Sequence, residues 1–168
     1  MSDINRLLQR LSDAEIDFVI VGGFAAILHG SSLTTRDLDV CALLTQENVD
    51  KLREILQDLH PVHRLSSPKV SFLDNPAPDV KVNNLYLSTD FGSVDFLSSV
   101  LGVGDFESVR ANAVEVELFG RRCRVISLDD LIRAKEALTR DKDHQTVLQL
   151  RAIRKKLEVA ATKPPTSE

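Results

Sequence analysis

Asp37 and Asp39 stand two apart in Thr35-Arg36-Asp37-Leu38-Asp39-Val40, where Leu38, Val40, Ala42 and Leu44 alternate with the residues between them. That alternation predicts a strand with its carboxylates at the N-terminal end. Side chains two apart on a strand share a face, so both point the same way, with Cα atoms about 6.5 to 7 Å apart. Two anions so placed attract a cation between them. Magnesium takes oxygen donors in octahedral geometry and combines a few carboxylates with substrate phosphates and water. A third carboxylate on a neighbouring strand would complete a two-metal site of the kind that clamps attacking and leaving oxygens in phosphoryl transfer. Asp95 is the candidate, with apolar Val94 and Phe96 turned to the other face.

An Asp-x-Asp pair by itself is common on surface strands and turns, so its surroundings decide its meaning. Gly22-Gly23 lies between the apolar run Phe18-Val19-Ile20-Val21 and the helix-compatible Phe24-Ala25-Ala26-Ile27-Leu28-His29. A missing side chain there lets the backbone approach a phosphate, and the N–H groups of a helix N-terminus can bind it. The alternative is a plain tight turn.

These residues need elements to position them. Ile4, Leu7, Leu8 and Leu11 repeat at helical spacing and predict a helix ending near residues 13–17. Phe18 to Val21 predicts a strand buried on both faces, and Gly30 the stop of the helix that follows. Val49, Leu52, Ile55, Leu56 and Leu59 mark a further amphipathic helix, and residues 60–78, with four prolines, a loop with a short strand at Val70 to Leu73. Val80 to Ser88 and Ser93 to Leu97 predict a hairpin that carries Asp95, and Phe106 to Ala111 a short helix. A second hairpin pairs Val114 to Leu118 with Arg124 to Ile126 through Gly120. Ser127 is placed to cap a helix from Leu128 to Leu138, and Asp141 to Val159 predicts the last helix. The organisation expected is one domain over residues 1–159, with a core at about 15–127, C-terminal helices at 128–159 and a flexible tail at 160–168.

The chain has 168 residues, 43% apolar and 27% charged, a balance suited to one ordinary globular core. Its net charge of -4 argues against a protein that coats nucleic acid through a dominant basic field. Cys41 and Cys123 lie in apolar stretches without metal-ligand spacing, as expected of reduced core thiols in a cytoplasmic protein. The start of the sequence has no basic region leading into an apolar one, and no run of 18 apolar residues occurs, so neither secretion nor membrane insertion is expected.

Taken together, Gly22-Gly23-Phe24-Ala25-Ala26, His29-Gly30 and Thr35-Arg36-Asp37-Leu38-Asp39-Val40 resemble the signature of the DNA polymerase β-like nucleotidyltransferase superfamily. The chain is similar to its small prokaryotic branch, which includes abortive-infection and toxin–antitoxin nucleotidyltransferases. The likeness continues through Gly92-Ser93-Val94-Asp95-Phe96-Leu97, Gly102 to Phe106, Phe119-Gly120-Arg121-Arg122, Leu128 to Ile132 with Lys135, and Arg140-Asp141-Lys142-Asp143, and covers roughly residues 15–150. It implies an α/β (α+β) fold with a mixed, mostly antiparallel sheet flanked by helices. It implies transfer of a nucleoside monophosphate from a nucleoside triphosphate to a hydroxyl on a protein, a tRNA or a small molecule, with release of pyrophosphate. A cognate toxin or antitoxin partner belongs to the same expectation.

By that resemblance Asp37 and Asp39 would bind two magnesium ions, or manganese in their place, and Asp95 would be the third ligand and accept the hydroxyl proton. Gly22 and Gly23 would hold the triphosphate, with Thr35 and Arg36 beside the metals and Lys135 and Lys142 on the phosphates. The plainer readings are a solvated Lys135, a structural Arg140–Asp143 ion pair and a packed His29 rather than a ligand. One departure stands out: Leu33 occupies a place where relatives often carry an arginine. Two rival functions remain. One is a nucleotide-binding partner or antitoxin module without turnover. The other is an enzyme that modifies an aminoglycoside-like molecule, which would need an acidic pocket from residues such as Asp74, Asp79 and Asp90. Arg151, Arg154, Lys155 and Lys156 read as a solvated helix end rather than an RNA contact.

Overall fold

A computed structural model describes residues 3–162. The first helix, α1 (Ile4–Asp13), is capped by the Asp3 carboxylate and buries Leu7, Leu8 and Leu11. It leads into β1 (Phe18–Val21), buried throughout, and α2 (Gly22–Leu28). β2 (Leu38–Ala42) follows after a loop, then α3 (Gln46–Leu56), whose N-terminus is capped by Thr45. The middle of the chain supplies β3 (Val62–His63), β4 (Val70–Ser71), β5 (Asn84–Thr89), β6 (Gly92–Leu97), β7 (Ser99–Val100) and β8 (Gly104–Asp105). Beyond them lie α4 (Phe106–Asn112), β9 (Val114–Leu118), β10 (Arg121–Val125), α5 (Leu128–Glu136) and α6 (Asp141–Thr162).

Eight strands form one sheet in the order β4-β3-β5-β6-β2-β1-β10-β9, and β7 and β8 pair separately. Only β2–β6 and β1–β10 are parallel, so the sheet is mixed and mostly antiparallel, as expected. β1 lies between β2 and β10, which is why Phe-Val-Ile-Val is apolar on both faces. One apolar cluster runs from Leu7 to Leu150 and takes in Cys41 and Cys123 as free thiols.

Several boundaries differ from the expected ones. The Gly22-Gly23 pair does not precede α2 but begins it. β2 stops at Ala42, and Asp37 sits just before its first residue. β5 starts at Asn84 rather than Val80, since residues 79–81 are exposed and pair with no strand. β10 begins at Arg121, leaving Phe119 and Gly120 as a two-residue turn, both at positive φ. β3, β7 and β8 were not foreseen, because a two-residue strand is too short to show alternation. Residues 160–162, assigned to the tail, continue α6, and residues 163–168 lie outside the described part.

The register lays the site residues in a row. Val21 on β1 lies opposite Asp39 on β2, Asp39 opposite Asp95 on β6, and Asp95 opposite Tyr86 on β5. The backbone N–H of Arg64, just past β3, donates to the Tyr86 carbonyl at 2.8 Å and extends the row.

On the helical side, Ser127 caps α5 as foreseen, and α5 packs on α6 through a buried ion group. The Asp143 carboxylate is fully buried and accepts from Lys135 Nζ at 3.2 Å and Arg140 Nε at 2.6 Å. Burial raises the pKa of Asp143, but the hydrogen bonds from Arg140 and Lys135 outweigh it and hold the group below the usual range. Removing one member of such a group strands the other charge, which costs about 3–5 kcal/mol. Asp143→Ala is therefore expected to lose about that much in urea unfolding. The double change Lys135→Met with Asp143→Leu, which removes both charges from the interior, should recover most of it; equal losses in the single and double variants would count against the ion group as the joint between α5 and α6.

Candidate active site

The row of residues opens onto a cavity of about 660 Å³. Asp37, Asp39 and Asp95 line it, as do Gly22 and Gly23 at the start of α2 and Thr35 from the loop before β2. Because β2 and β6 run parallel with Asp39 facing Asp95, two carboxylates from different strands share one level of the sheet. Asp37 adds a third from the end of the loop.

Gly22 has a structural reason to be glycine. Its φ is +68°, and a Cβ there would lie 2.2 Å from Asp39 Oδ2. At Gly23 a Cβ would lie 3.0 Å from Thr35 Oγ1. The pair thus makes room for a carboxylate and a threonine of the site itself, besides leaving backbone open to the cavity. Thr35 donates in turn to the Asp37 carbonyl at 3.3 Å, which ties the loop to the start of β2.

Three acids around a partly closed space disturb one another. Burial pushes the Asp39 carboxyl up to about 6, helped by the charges of Asp95 and Asp37 and opposed by Lys135 and Arg64. Asp95 is also raised, by burial first, although the hydrogen bonds from Arg64 pull it down. Arg64 is the residue that sequence reasoning missed. Its Nη2 donates to both carboxylate oxygens of Asp95, at 2.5 and 2.6 Å, and its guanidinium lies 5.8 Å from the centre of the Tyr86 ring. It sits in the proline-rich stretch read as a loop, where no periodic pattern marks it, and only the strand register brings it to Asp95.

Lys135 and Lys142 both line the cavity, together with Arg140. Lys142 is exposed, whereas Lys135 is buried against Asp143, so the solvated reading of Lys135 does not hold. The structural reading of Arg140–Asp143 does, with Lys135 as an added member. Arg36 is not brought to the site: it is exposed and does not line the cavity, since it falls between two residues that turn inward. His29 is packed, with Nε2 2.7 Å from the Ile126 carbonyl. Leu33 also lies outside the cavity lining.

The acidic residues weighed for a cationic acceptor do not gather here. Asp74 and Asp90 are exposed away from the cavity, Asp90 against His60 at 2.7 Å, and Asp79 lines a separate groove beside Val49 and Lys81. Apolar surface stands in their place, from Leu97, Val100 and Leu101 on one side and Leu131 and Leu138 on the other. In the basic stretch of α6, Arg151 pairs with Glu136 and Arg154 with Asp129 on the surface.

Asp37 and Asp39 offer a hard, all-oxygen donor pair without a cavity-lining histidine or cysteine, the chemistry that suits magnesium rather than a thiophilic metal. Among the described residues, no three carboxylate, imidazole or thiol groups converge as a ready metal cluster. Asp95 instead has both oxygens engaged by Arg64.

The fold is shared with solved nucleotidyltransferases. The crystal structure of the lincosamide antibiotic adenylyltransferase LnuA, bound to lincomycin, superposes with a TM-score of 0.58 at 16% identity, over 89% of this chain and 95% of that one. ANT(2″)-Ia in complex with adenylyl-2″-tobramycin gives 0.53 at 13% identity, over 95% and 97% of the two chains. An antigenic nucleotidyltransferase-like protein from Paracoccidioides brasiliensis gives 0.52 at 15% identity, over 89% and 72%. At such identities the likeness is one of fold. No curated protein matches the sequence. The family model described as "Nucleotidyl transferase of unknown function" matches residues 1–163. With the model spanning nearly the whole sequence, this chain belongs to that nucleotidyltransferase family.

Proposed function

We propose that the protein moves a nucleoside monophosphate from a nucleoside triphosphate to a hydroxyl of a small molecule, releasing pyrophosphate, in a magnesium-dependent reaction. The observation that carries this reading is the parallel pairing of Asp39 with Asp95 beneath Gly22, with Asp37 beside them, across a cavity from Lys135. Asp37 and Asp39 would hold magnesium, with Asp95 as a third ligand once its contact with Arg64 is released, and the ion when bound neutralises triphosphate charge and steadies the leaving pyrophosphate. The acceptor oxygen forms a bond to the α-phosphorus as the bond to the β-phosphate oxygen breaks. Asp95, lifted by burial, suits the acceptor's proton. Lys135 and Lys142 supply point charges for the phosphates. Positioning and charge stabilisation make up most of what such a reaction asks of a protein.

A small-molecule acceptor is supported by the apolar surface of Leu97, Val100 and Leu101 beside the carboxylates. It also agrees with the neighbour LnuA, an antibiotic adenylyltransferase whose structure holds lincomycin. The aminoglycoside-like alternative agrees in turn with the neighbour ANT(2″)-Ia, whose structure holds adenylyl-2″-tobramycin, although the cavity here is lined by no carboxylates beyond Asp37, Asp39 and Asp95. The likeness to toxin–antitoxin enzymes has no counterpart in the geometry and forms no part of the proposal.

Incubation with each labelled nucleoside triphosphate, magnesium and a cell extract should place label in the small-molecule fraction. Asp39→Asn should lower pyrophosphate release at least about 100-fold. The same change should raise stability at neutral pH. A carboxyl held near 6 when folded but near 4 when unfolded favours the fold only while protonated, so stability is lost as pH rises from about 4 to 6. Relief of that penalty predicts a gain of about 3 kcal/mol for Asp39→Asn at pH 7 and little at pH 4, measured by urea unfolding at both values. Undiminished turnover in Asp39→Asn would sink the assignment, and a stability change independent of pH would show that Asp39 is not crowded as described.

Cation binding should follow the same group. Because the proton on Asp39 must leave before a cation can bind, manganese affinity is expected to fall below about pH 6. Titrations at pH 5 and pH 7.5 check this; equal affinity at both would place the cation elsewhere.

A further inference from the structure

The Arg64–Asp95 contact has two features that a purely structural ion pair does not need. Both Asp95 oxygens are satisfied by the single nitrogen Nη2, and Nη1 makes no hydrogen bond among the described residues. Arg64 Nε is buried with no partner. A buried donor without an acceptor is costly, so the guanidinium sits on Asp95 at the expense of one of its own hydrogen bonds. It is held there by charge, since Asp95, Asp39 and Asp37 all favour a cation at that point. The side chain also lines the cavity and is one-third exposed, so it has room to turn. Its backbone N–H is tied to the Tyr86 carbonyl at 2.8 Å, so the side chain is the part with freedom to turn.

A divalent cation seeking Asp95 as a ligand must displace this arginine. From the contact between the two, we propose that Arg64 is a positioning residue that competes with the divalent cation for Asp95 and passes to the triphosphate when the cation takes its place. The proposal rests on the metal-dependent reading above. Arg64 then acts as the resident counter-ion of the third carboxylate. A metal ion alone has to overcome the guanidinium, whereas a metal ion arriving with a triphosphate brings the anion that receives it. The released group, with Nη1 and Nε both unspent, meets phosphate oxygens as a planar donor fork. Loading is thereby biased toward metal and triphosphate together, and Asp95 is kept from a lone cation.

The test uses the full chain and two probes, manganese alone and the manganese complex of inorganic tripolyphosphate, which does not depend on base preference. Free manganese is read by electron paramagnetic resonance, and the complex is titrated by calorimetry. Arg64→Gln is expected to bind manganese alone about tenfold more tightly than the native chain, and the tripolyphosphate complex about tenfold more weakly. Loss of structure would weaken both. Arg64→Met, which keeps the length of the stem without charge or donors, decides by the same two readings if Arg64→Gln shows no cooperative thermal transition. Manganese affinity that is unchanged or reduced, or tripolyphosphate affinity that is unchanged, overturns the proposal. A native chain that binds no manganese even with tripolyphosphate overturns the metal-dependent reading, and this one with it.

Discussion

Two carboxylates meet on neighbouring strands at the centre of the sheet, and much of the surrounding structure can be understood as a response to their burial and mutual repulsion. Asp39 and Asp95 are paired in the parallel register of β2 and β6, and adjacent strands lie about 4.8 Å apart. At roughly 5 Å, with an effective dielectric constant near 20, two like charges repel by about 3 kcal/mol. Asp37 adds to that field from the adjoining loop, and Gly22 closes over Asp39 so tightly that no side chain fits between. Such an arrangement stabilises nothing by itself. It persists because the elements bearing it are held by apolar contacts: β1, β2 and β6 bury Val19, Ile20, Val40, Val94 and Phe96 on the faces around the acids.

The compensating cations come from opposite sides of the molecule and are anchored differently. Arg64 comes from the sheet, where β3 is pinned to β5 by main-chain bonds and its guanidinium reaches Asp95 along the strand row. Lys135 comes from the helices, where Asp143 both permits its burial and fixes its position. The difference matters for chemistry. Lys135 has a full-time partner behind it and presents a fixed charge. Arg64 has only Asp95, which the proposed reaction would itself use, so under that reading its position would depend on what else occupies the cavity.

This division also explains what could be read from the sequence. That Asp39 and Asp95 would meet on one cavity was legible because strand alternation puts them opposite the buried Leu38, Val40, Val94 and Phe96, and Asp37 joins them from the residue just before β2. Gly22 and Gly23 were legible as a site but not for their tightest contact, which is a carboxylate of the chain itself. Arg64 was illegible, since two-residue strands such as β3 carry no period and its partner lies 31 positions away. Arg36, which the resemblance placed beside the metals, is exposed and does not line the cavity, because the backbone turns it outward between Thr35 and Asp37. The Lys135–Asp143–Arg140 group was half legible, as an Arg140–Asp143 pair at helical spacing, because the burial of Lys135 depends on how α5 and α6 pack.

The two halves of the cavity follow different structural rules, and this bears on what each can recognise. The half that the proposed reaction would give to the triphosphate is built from β1, α2, β2 and β6, whose buried residues leave little freedom for the acids and glycines they carry. The other half is built from Arg64, Tyr86 and Asn84 at strand ends and from residues 97–101 around the two-residue β7, where Leu101 is 66% exposed. Short elements and their connections can change without disturbing a core, which is how one reaction centre on a shared fold comes to serve different acceptors. Charge narrows the choice further. The cavity is lined by no carboxylate beyond Asp37, Asp39 and Asp95, all three of which the proposed reaction would use. Under the proposed reaction, recognition there would fall to apolar contact with Leu97, Val100 and Leu101 and to the hydrogen-bonding groups of Tyr86 and Asn84, a surface suited to a compact hydroxyl compound with an apolar body.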